Sequence, residues 1–269
     1  MGGLFDWDYL IDRTRTLVKQ SAWDRPRQAI DAIADQYHTD LWKGQHQRVE
    51  VWIEKDAGIG VIEGVCEHND VPYFSCRGYT SASEMWAASQ RIGDKIRRGD
   101  RVTILHVGDH DPSGLDMTRD ISERLATFLL NDWHREFKHT YSGSSSASIR
   151  ASMRSGMRQL GSNITDEQMP FRVKRIALNM DQIQQYDPPP NPAKSTDSRY
   201  EGYGFDESWE LDALDPFVLQ DLISGEIEAI RNESLWDEAN IKMETDRRVL
   251  QRVAANWTQV VDTYRNEEG

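Results

Sequence analysis

Positive charge is what this chain is short of: 32 Lys and Arg stand against 45 Asp and Glu, for a net charge of −13. That balance excludes a protein that coats duplex DNA by charge alone, because such binding comes from neutralising phosphates with Lys and Arg. It does not exclude nucleic acid, since basic residues can cluster locally and a carboxylate-rich site adds negative charge of its own. Cysteine is scarce too. Cys66 and Cys76 are the two present; they lack metal-site spacing and read as reduced thiols of a cytoplasmic core. No apolar run approaches the roughly 20 residues that cross a bilayer, so no membrane association is expected. The first residues, MGGLFDWDYLIDRTR, are acidic and interrupted by charge, unlike a signal peptide. There is no internal repeat.

What is present is enough chain for one large domain or two small ones, at 269 residues. Nine Trp argue against disorder. Residues 1–47 read as a helical lead-in. Ser21 and Asp24 are placed to cap a helix through Gln28–Tyr37, with Pro26 in its first turn. Trp7, Trp23 and Trp42 read as packing anchors. Beyond them, strands alternate with helices: strand 48–53, a helix to about His68, strand 71–76, a helix from Ser83 to Arg97, strand 101–107, and a helix from about Ser113. That alternation predicts βαβ units and an α/β fold with a parallel sheet. A core over 48–140 follows, then an extension over 141–269 packed on it. The extension holds a small polar loop at 142–148, a strand over 171–178, an extended DPPPNP stretch at 187–192 and terminal helices over 215–265.

The chain is organised around Val102–Met117, VTILHVGDHDPSGLDM. A buried strand ends at Gly108, and Asp109 and Asp111 follow with one residue between them. In open α/β sheets ligands bind at the carboxyl ends of strands. The first strand ends in Glu54-Lys55-Asp56 and the second in Arg77-Gly78-Tyr79, so three strand ends carry polar turns on one edge. Glu54 and the aspartate pair then face each other across neighbouring strands, a set suited to Mg²⁺ and a phosphodiester. Gly78 and Gly114 read as places where backbone approaches phosphate. Lys55 or Arg77 would neutralise charge on the transferring group. Taken singly, Asp-x-Asp is an ordinary turn and a Glu after a strand an ordinary helix-start residue; their coincidence on one edge points to a site.

Val51-Trp52-Ile53-Glu54-Lys55-Asp56-Ala57, followed by Cys76-Arg77-Gly78-Tyr79 and Gly108-Asp109-His110-Asp111-Pro112-Ser113-Gly114, resembles the Toprim domain, and within that superfamily the A subunit of topoisomerase VI and the related meiotic double-strand-break transesterase. The likeness covers about residues 48–130, and more weakly 171–214, including Trp209–Leu214. It implies a Rossmann-like sheet with helical N- and C-terminal additions, and Mg²⁺ (or Mn²⁺) held by Glu54, Asp109 and Asp111. It further implies cleavage or transesterification of DNA, and a homodimer. The middle motif departs from the family, with Thr80 and Ser81 where Pro and Asp are usual. The family's nucleophilic tyrosine sits on a preceding winged helix. Only Tyr9 and Tyr37 precede Glu54, so a tyrosine-bearing or ATPase partner subunit, or activated water as in Toprim nucleases, is expected to complete the reaction. Two rivals stand beside this reading: a non-catalytic module binding DNA or protein, and an α/β phosphohydrolase with Asp109 as nucleophile.

Arg150, Arg154 and Arg158 recur at helical spacing, with Arg172, Lys174 and Arg175 after them, a local basic stripe that would track a nucleic-acid backbone or simply face water. Lys194, Arg199, Tyr200 and Tyr203 would clamp a strand or form a lid. Glu210 and Asp212 would add a ligand or hold a basic residue. His106 reads as a core histidine, and His110 as nearer the site and open to phosphate.

Overall fold

Four short runs make the frame: the two at its centre, Gln47–Ile53 and Arg101–Val107, carry enough apolar side chains to be buried on both faces, and the two at its edges, Tyr73–Ser75 and Phe171–Ala177, are only partly buried. In the computed structural model, which describes residues 22–137 and 170–265, they form one parallel sheet. In chain order the elements are α1 (Pro26–Gln36), β1 (Gln47–Ile53), α2 (Ile59–His68), β2 (Tyr73–Ser75), α3 (Ala82–Arg97), β3 (Arg101–Val107), α4 (Pro112–Phe137), β4 (Phe171–Ala177), α5 (Met180–Tyr186), β5 (Asn191–Pro192), α6 (Tyr200–Tyr203), β6 (Glu207–Ser208), α7 (Pro216–Ile230), α8 (Glu233–Ala255) and α9 (Trp257–Arg265). The sheet order is β2-β1-β3-β4, and β5 pairs antiparallel with β6. The α/β class with a Rossmann-like parallel sheet is thus as the alternation indicates.

The order has a consequence for function. From β1 the chain steps outward to β2, then crosses back over β1 to lay β3 on its other side. The direction of winding reverses between β1 and β3, and that crevice is where open α/β sheets bind ligands. Ile53 stands beside Val107 and beside Ser75 in register, so the three strands end level.

Side-chain alternation divides the core. On one face Trp52, Val102, Ile104 and Phe171 pack with Met85, Ala88 and Ile92 of α3 and Met117, Ile121, Leu125 and Leu129 of α4. Each such side chain taken fully out of water contributes roughly 1.5–3 kcal/mol before entropy is counted. On the other face Val51, Ile53, Leu105 and Val107 are buried with Ile62 and Cys66 of α2 and Ile223 and Ile227 of α7. Cys66 and Cys76 are free and buried.

The chain divides into a larger unit, Asp40–Asn240, and a smaller one made of Met1–Thr39 with Ile241–Gly269. The sheet and its loops belong to the larger unit. In the smaller one Tyr37 donates its hydroxyl to Asp246 (3.1 Å) and accepts at its carbonyl from Arg247 (2.9 Å). None of its helices, nor any other described helix, is long and apolar enough to cross a membrane.

Three expectations need correction. Trp23 is half exposed, at 52 %, and anchors nothing, whereas Trp42 is buried and donates its indole N–H to the Asn69 carbonyl at 2.9 Å. The start of α1 is closed by Gln28, whose Oε1 accepts from the backbone N–H of Asp24 and Arg25, and not by the Asp24 side chain. β2 is three residues long instead of six. Trp7, Ser21, the 142–148 loop and the Arg150, Arg154 and Arg158 stripe lie outside the described residues.

Candidate functional site

The last rungs of the sheet ladder run past the strands and gather the loops. Glu54 N–H donates to the Val107 carbonyl (2.9 Å), and Gly78 N–H to the Glu54 carbonyl (3.1 Å). Gly108 N–H donates to Ala177 (2.9 Å), and Leu178 N–H returns to Gly108 (2.7 Å). Loops from four strands are therefore tied at one rim.

Each predicted acid has a backbone partner that aims it. Glu54 is 8 % exposed, and its Oε2 accepts from Asp109 N–H at 3.0 Å. Asp109 Oδ1 accepts from Leu211 N–H at 2.9 Å, a contact brought from 102 residues away. Asp111 Oδ1 accepts from Gly114 N–H at 2.6 Å and so caps α4, whose first residue is Pro112. The turn reading of Asp-x-Asp holds for Asp111, which caps α4 and whose charge also acts on Glu54.

The glycines serve this packing more than they serve a ligand. A Cβ on Gly108 would lie 2.6 Å from Glu54 Oε2. One on Gly114 would lie 2.3 Å from the Asp109 carbonyl oxygen and 3.0 Å from Glu54 Oε2. Gly114 is therefore small because the Asp109 backbone and the Glu54 carboxylate lie against it. Gly78 has open space around it, and its φ of +82° is what requires glycine. Arg77 also has positive φ; its guanidinium is 77 % exposed and sits 2.8 Å from Asp56.

Charge at the rim is unbalanced. Burial, then the negative charges of Asp109 and Asp111, push Glu54 up to about 7, against the pull of the Asp109 N–H and Lys55. Lys55 Nζ stands 2.7 Å from Asp109 Oδ2 and 3.2 Å from Glu210 Oε2. Burial disfavours its charge, but Asp109 and then Glu210 outweigh this and raise its pKa.

Arg175, the last residue of the basic stripe, neither tracks a nucleic-acid backbone nor faces water. Its guanidinium donates to the carbonyls of Gly108 (2.8 Å), Gly114 (3.0 Å), Leu178 (3.2 Å) and Asp109. Burial lowers it to about 10 despite Glu54, Asp109 and Asp111 nearby, so it stays charged at neutral pH. It is a buried cation that grips the site loop by its backbone and leaves the carboxylate oxygens alone. Arg172 bonds Thr103 and Lys174 bonds Glu226, so neither is an unengaged phosphate contact.

His110 is buried rather than open to phosphate, at 5 % exposure. Its Nδ1 lies 3.0 Å from the Leu178 carbonyl, its backbone pairs with Trp209, and Tyr203, Phe205 and Trp209 surround the ring. Tyr203 is buried too; its hydroxyl lies 2.8 Å from the His110 carbonyl and 2.9 Å from that of Glu207, so it fastens the loop and clamps no strand. His106 is a core histidine, with Nδ1 2.8 Å from Thr118 and a pKa that burial lowers to about 3. Arg199 bonds Asp116 and Asp197 and lies over the Tyr79 ring.

A hard divalent cation takes carboxylate oxygens, and the donor set at this rim is of that kind. The clustered negative charge that raises Glu54 is what such an ion would relieve. As they stand, no three His, Cys, Asp or Glu side chains among the described residues are gathered to hold a metal ion, and Lys55 supplies positive charge at Asp109. The donor types suit a hard cation, and the Lys55 ammonium, 2.7 Å from Asp109, is the positive charge that stands against them.

Comparison with family models, curated proteins and solved structures finds no match for this chain. The fold and the rim define it as a doubly wound α/β protein with an acidic centre at the switch point.

Proposed function

We propose that this chain is a Toprim-type protein that uses Mg²⁺, or Mn²⁺, to act on DNA phosphodiester bonds. One observation carries the reading: Glu54, at the end of β1, is bonded to the backbone of Asp109, at the end of β3, where burial and then the two aspartates raise its pKa to about 7. Glu54, Asp109 and Asp111 would hold the ion, and the ion would supply Lewis-acid polarisation of the phosphodiester. Arg175 holds the carbonyls of the aspartate loop. Arg77, exposed after the second strand, would exchange its surface partner Asp56 for the nucleic-acid backbone.

A second reading has an observation of its own. Lys55 on Asp109 makes a stable arrangement without metal, as a DNA- or protein-binding module that no longer cuts would have. Calorimetric titration with Mg²⁺ and Mn²⁺ beside a plasmid-cleavage assay separates the two. Asp111→Asn keeps an acceptor for Gly114 N–H and should lose both metal binding and cleavage while the fold is retained. Cleavage that survives Asp111→Asn and Glu54→Ala would show the site to be misplaced. Folded wild-type protein that shows neither metal binding nor cleavage would favour the module.

A further inference from the structure

We infer that Lys55 is the resident counter-cation of this centre and that Glu210 receives its ammonium when a divalent ion takes Asp109. The inference rests on the metal reading above and adds a device to it. The ammonium lies between two carboxylates of opposite surroundings: Asp109, 8 % exposed, at 2.7 Å, and Glu210, 54 % exposed, at 3.2 Å. Both acids are fixed relative to each other. Glu210 follows Trp209, whose backbone pairs with His110 in both directions (2.8 and 3.0 Å), and precedes Leu211, whose N–H binds Asp109 itself. The segment that carries Glu210 is thus fastened to the aspartate loop from both sides, and Lys55 already touches both ends of its path.

Lysine suits this role. Its charge is a compact point on a flexible stem, and it needs no fixed fork of hydrogen bonds to change partner. An arriving cation is repelled by an ammonium on Asp109 and much less by one drawn outward to a solvated carboxylate. Glu210 therefore sets metal affinity without touching the metal, and it does so only through Lys55. Arg175 cannot do the same, because its guanidinium is spent on backbone carbonyls.

The dependence on Lys55 gives the test. Mn²⁺ and Mg²⁺ affinities are measured by calorimetry on the full chain, on Lys55→Met, on Glu210→Gln and on the double variant, with thermal melts to confirm folding. Lys55→Met should bind about tenfold tighter and Glu210→Gln about tenfold weaker, while Glu210→Gln in the Lys55→Met background should change affinity less than about twofold. Lys55→Arg, which keeps the charge and grips Asp109 with two donors, should bind about tenfold weaker and keeps the inference falsifiable if Lys55→Met does not fold. An equal Glu210→Gln effect with and without Lys55 would make Glu210 a ligand and overturn the exchange. So would unchanged or weaker binding by folded Lys55→Met, or unchanged binding by Lys55→Arg. In those cases the metal centre stands. Wild-type protein that binds neither ion would bring down the metal reading itself, and the exchange with it.

Discussion

Glu54→Gln is expected to make the metal-free protein more stable above neutral pH while it destroys the proposed function. In the unfolded chain Glu54 titrates near its ordinary value of 4.5; in the fold, burial and the two aspartates raise it to about 7. Between those values the folded state holds a proton that the unfolded state has released. Stability therefore falls as pH rises through the window and stays reduced above it. At roughly 1.4 kcal/mol for each pH unit, the full loss approaches about 3 kcal/mol at pH 8. Glutamine has nearly the same shape, and its carbonyl oxygen can still accept from Asp109 N–H, so the variant removes the charge and little else. Urea unfolding followed by tryptophan fluorescence at pH 5 and pH 8 reads the effect as a difference between variant and wild type, in which other titrating groups cancel. The difference should be under about 1 kcal/mol at pH 5 and about 3 kcal/mol in favour of the variant at pH 8. Mg²⁺ should restore the wild type at pH 8 by binding the native state, and should do nothing for the variant. A stability difference that does not change with pH would refute the placement of Glu54 among the acids.

Glu50 should behave in the opposite sense: burial raises its pKa, but Arg91 and Lys95 outweigh that and hold it at about 2, so its stabilisation is present above about pH 4.5 and is lost as pH falls towards 2. Glu50→Gln is expected to cost about 3 kcal/mol at pH 7 and to flatten the acid limb of the stability curve between about pH 4.5 and 2, measured by the same unfolding assay. Arg175→Met should cost about 3 kcal/mol or more, because the carbonyls of Gly108, Asp109, Gly114 and Leu178 lose a buried charged donor; a thermal melt reads it, and Arg175→Lys, which keeps the charge but not the planar fork, should recover less than half.

Much of this was legible in the sequence because it rests on local signals. Apolar runs broken by Gly and Asp marked three of the strands to within a residue or two, and strands alternating with helices implied a parallel sheet whose ends share an edge. That put Glu54 and Asp109 on neighbouring strands, as β1 and β3 are. What failed to show was who partners whom over long separations. Nothing in Trp209–Leu211 says that its backbone will orient Asp109, nor that Glu210 will share Lys55. Arg175 did carry a signal that was passed over: it is in phase with Phe171 and Val173, on the buried face, and out of phase with Arg172 and Lys174. The irregularity that follows, where His106 pairs with Arg175 but Val107 with Ala177, has no mark in the sequence. His110 was misjudged for the same reason as Tyr203, since each is buried only because the 199–211 stretch folds back over the loop.

The two buried glutamates of this strand and its end make the strongest case that the rim is more than scaffold. Glu50 and Glu54 are four residues apart, and both are less than a tenth exposed. The chain satisfies Glu50 fully: Arg91 donates two bonds, at 3.0 and 2.8 Å, Lys95 a third at 2.9 Å, and the Trp52 indole lies at 3.1 Å. Its pKa falls accordingly. Glu54 is given one backbone N–H and two negative neighbours, and its pKa climbs. A sequence able to neutralise one buried carboxylate so thoroughly has no physical need to leave the other facing like charge, and glutamine at position 54 would be the more stable choice above neutral pH. Stability does not explain this arrangement, whereas the proposed metal centre, which would receive positive charge from outside, would. Lys55 then reads as the partial answer the chain itself gives, an ammonium that stands 2.7 Å from Asp109 and is shared with Glu210.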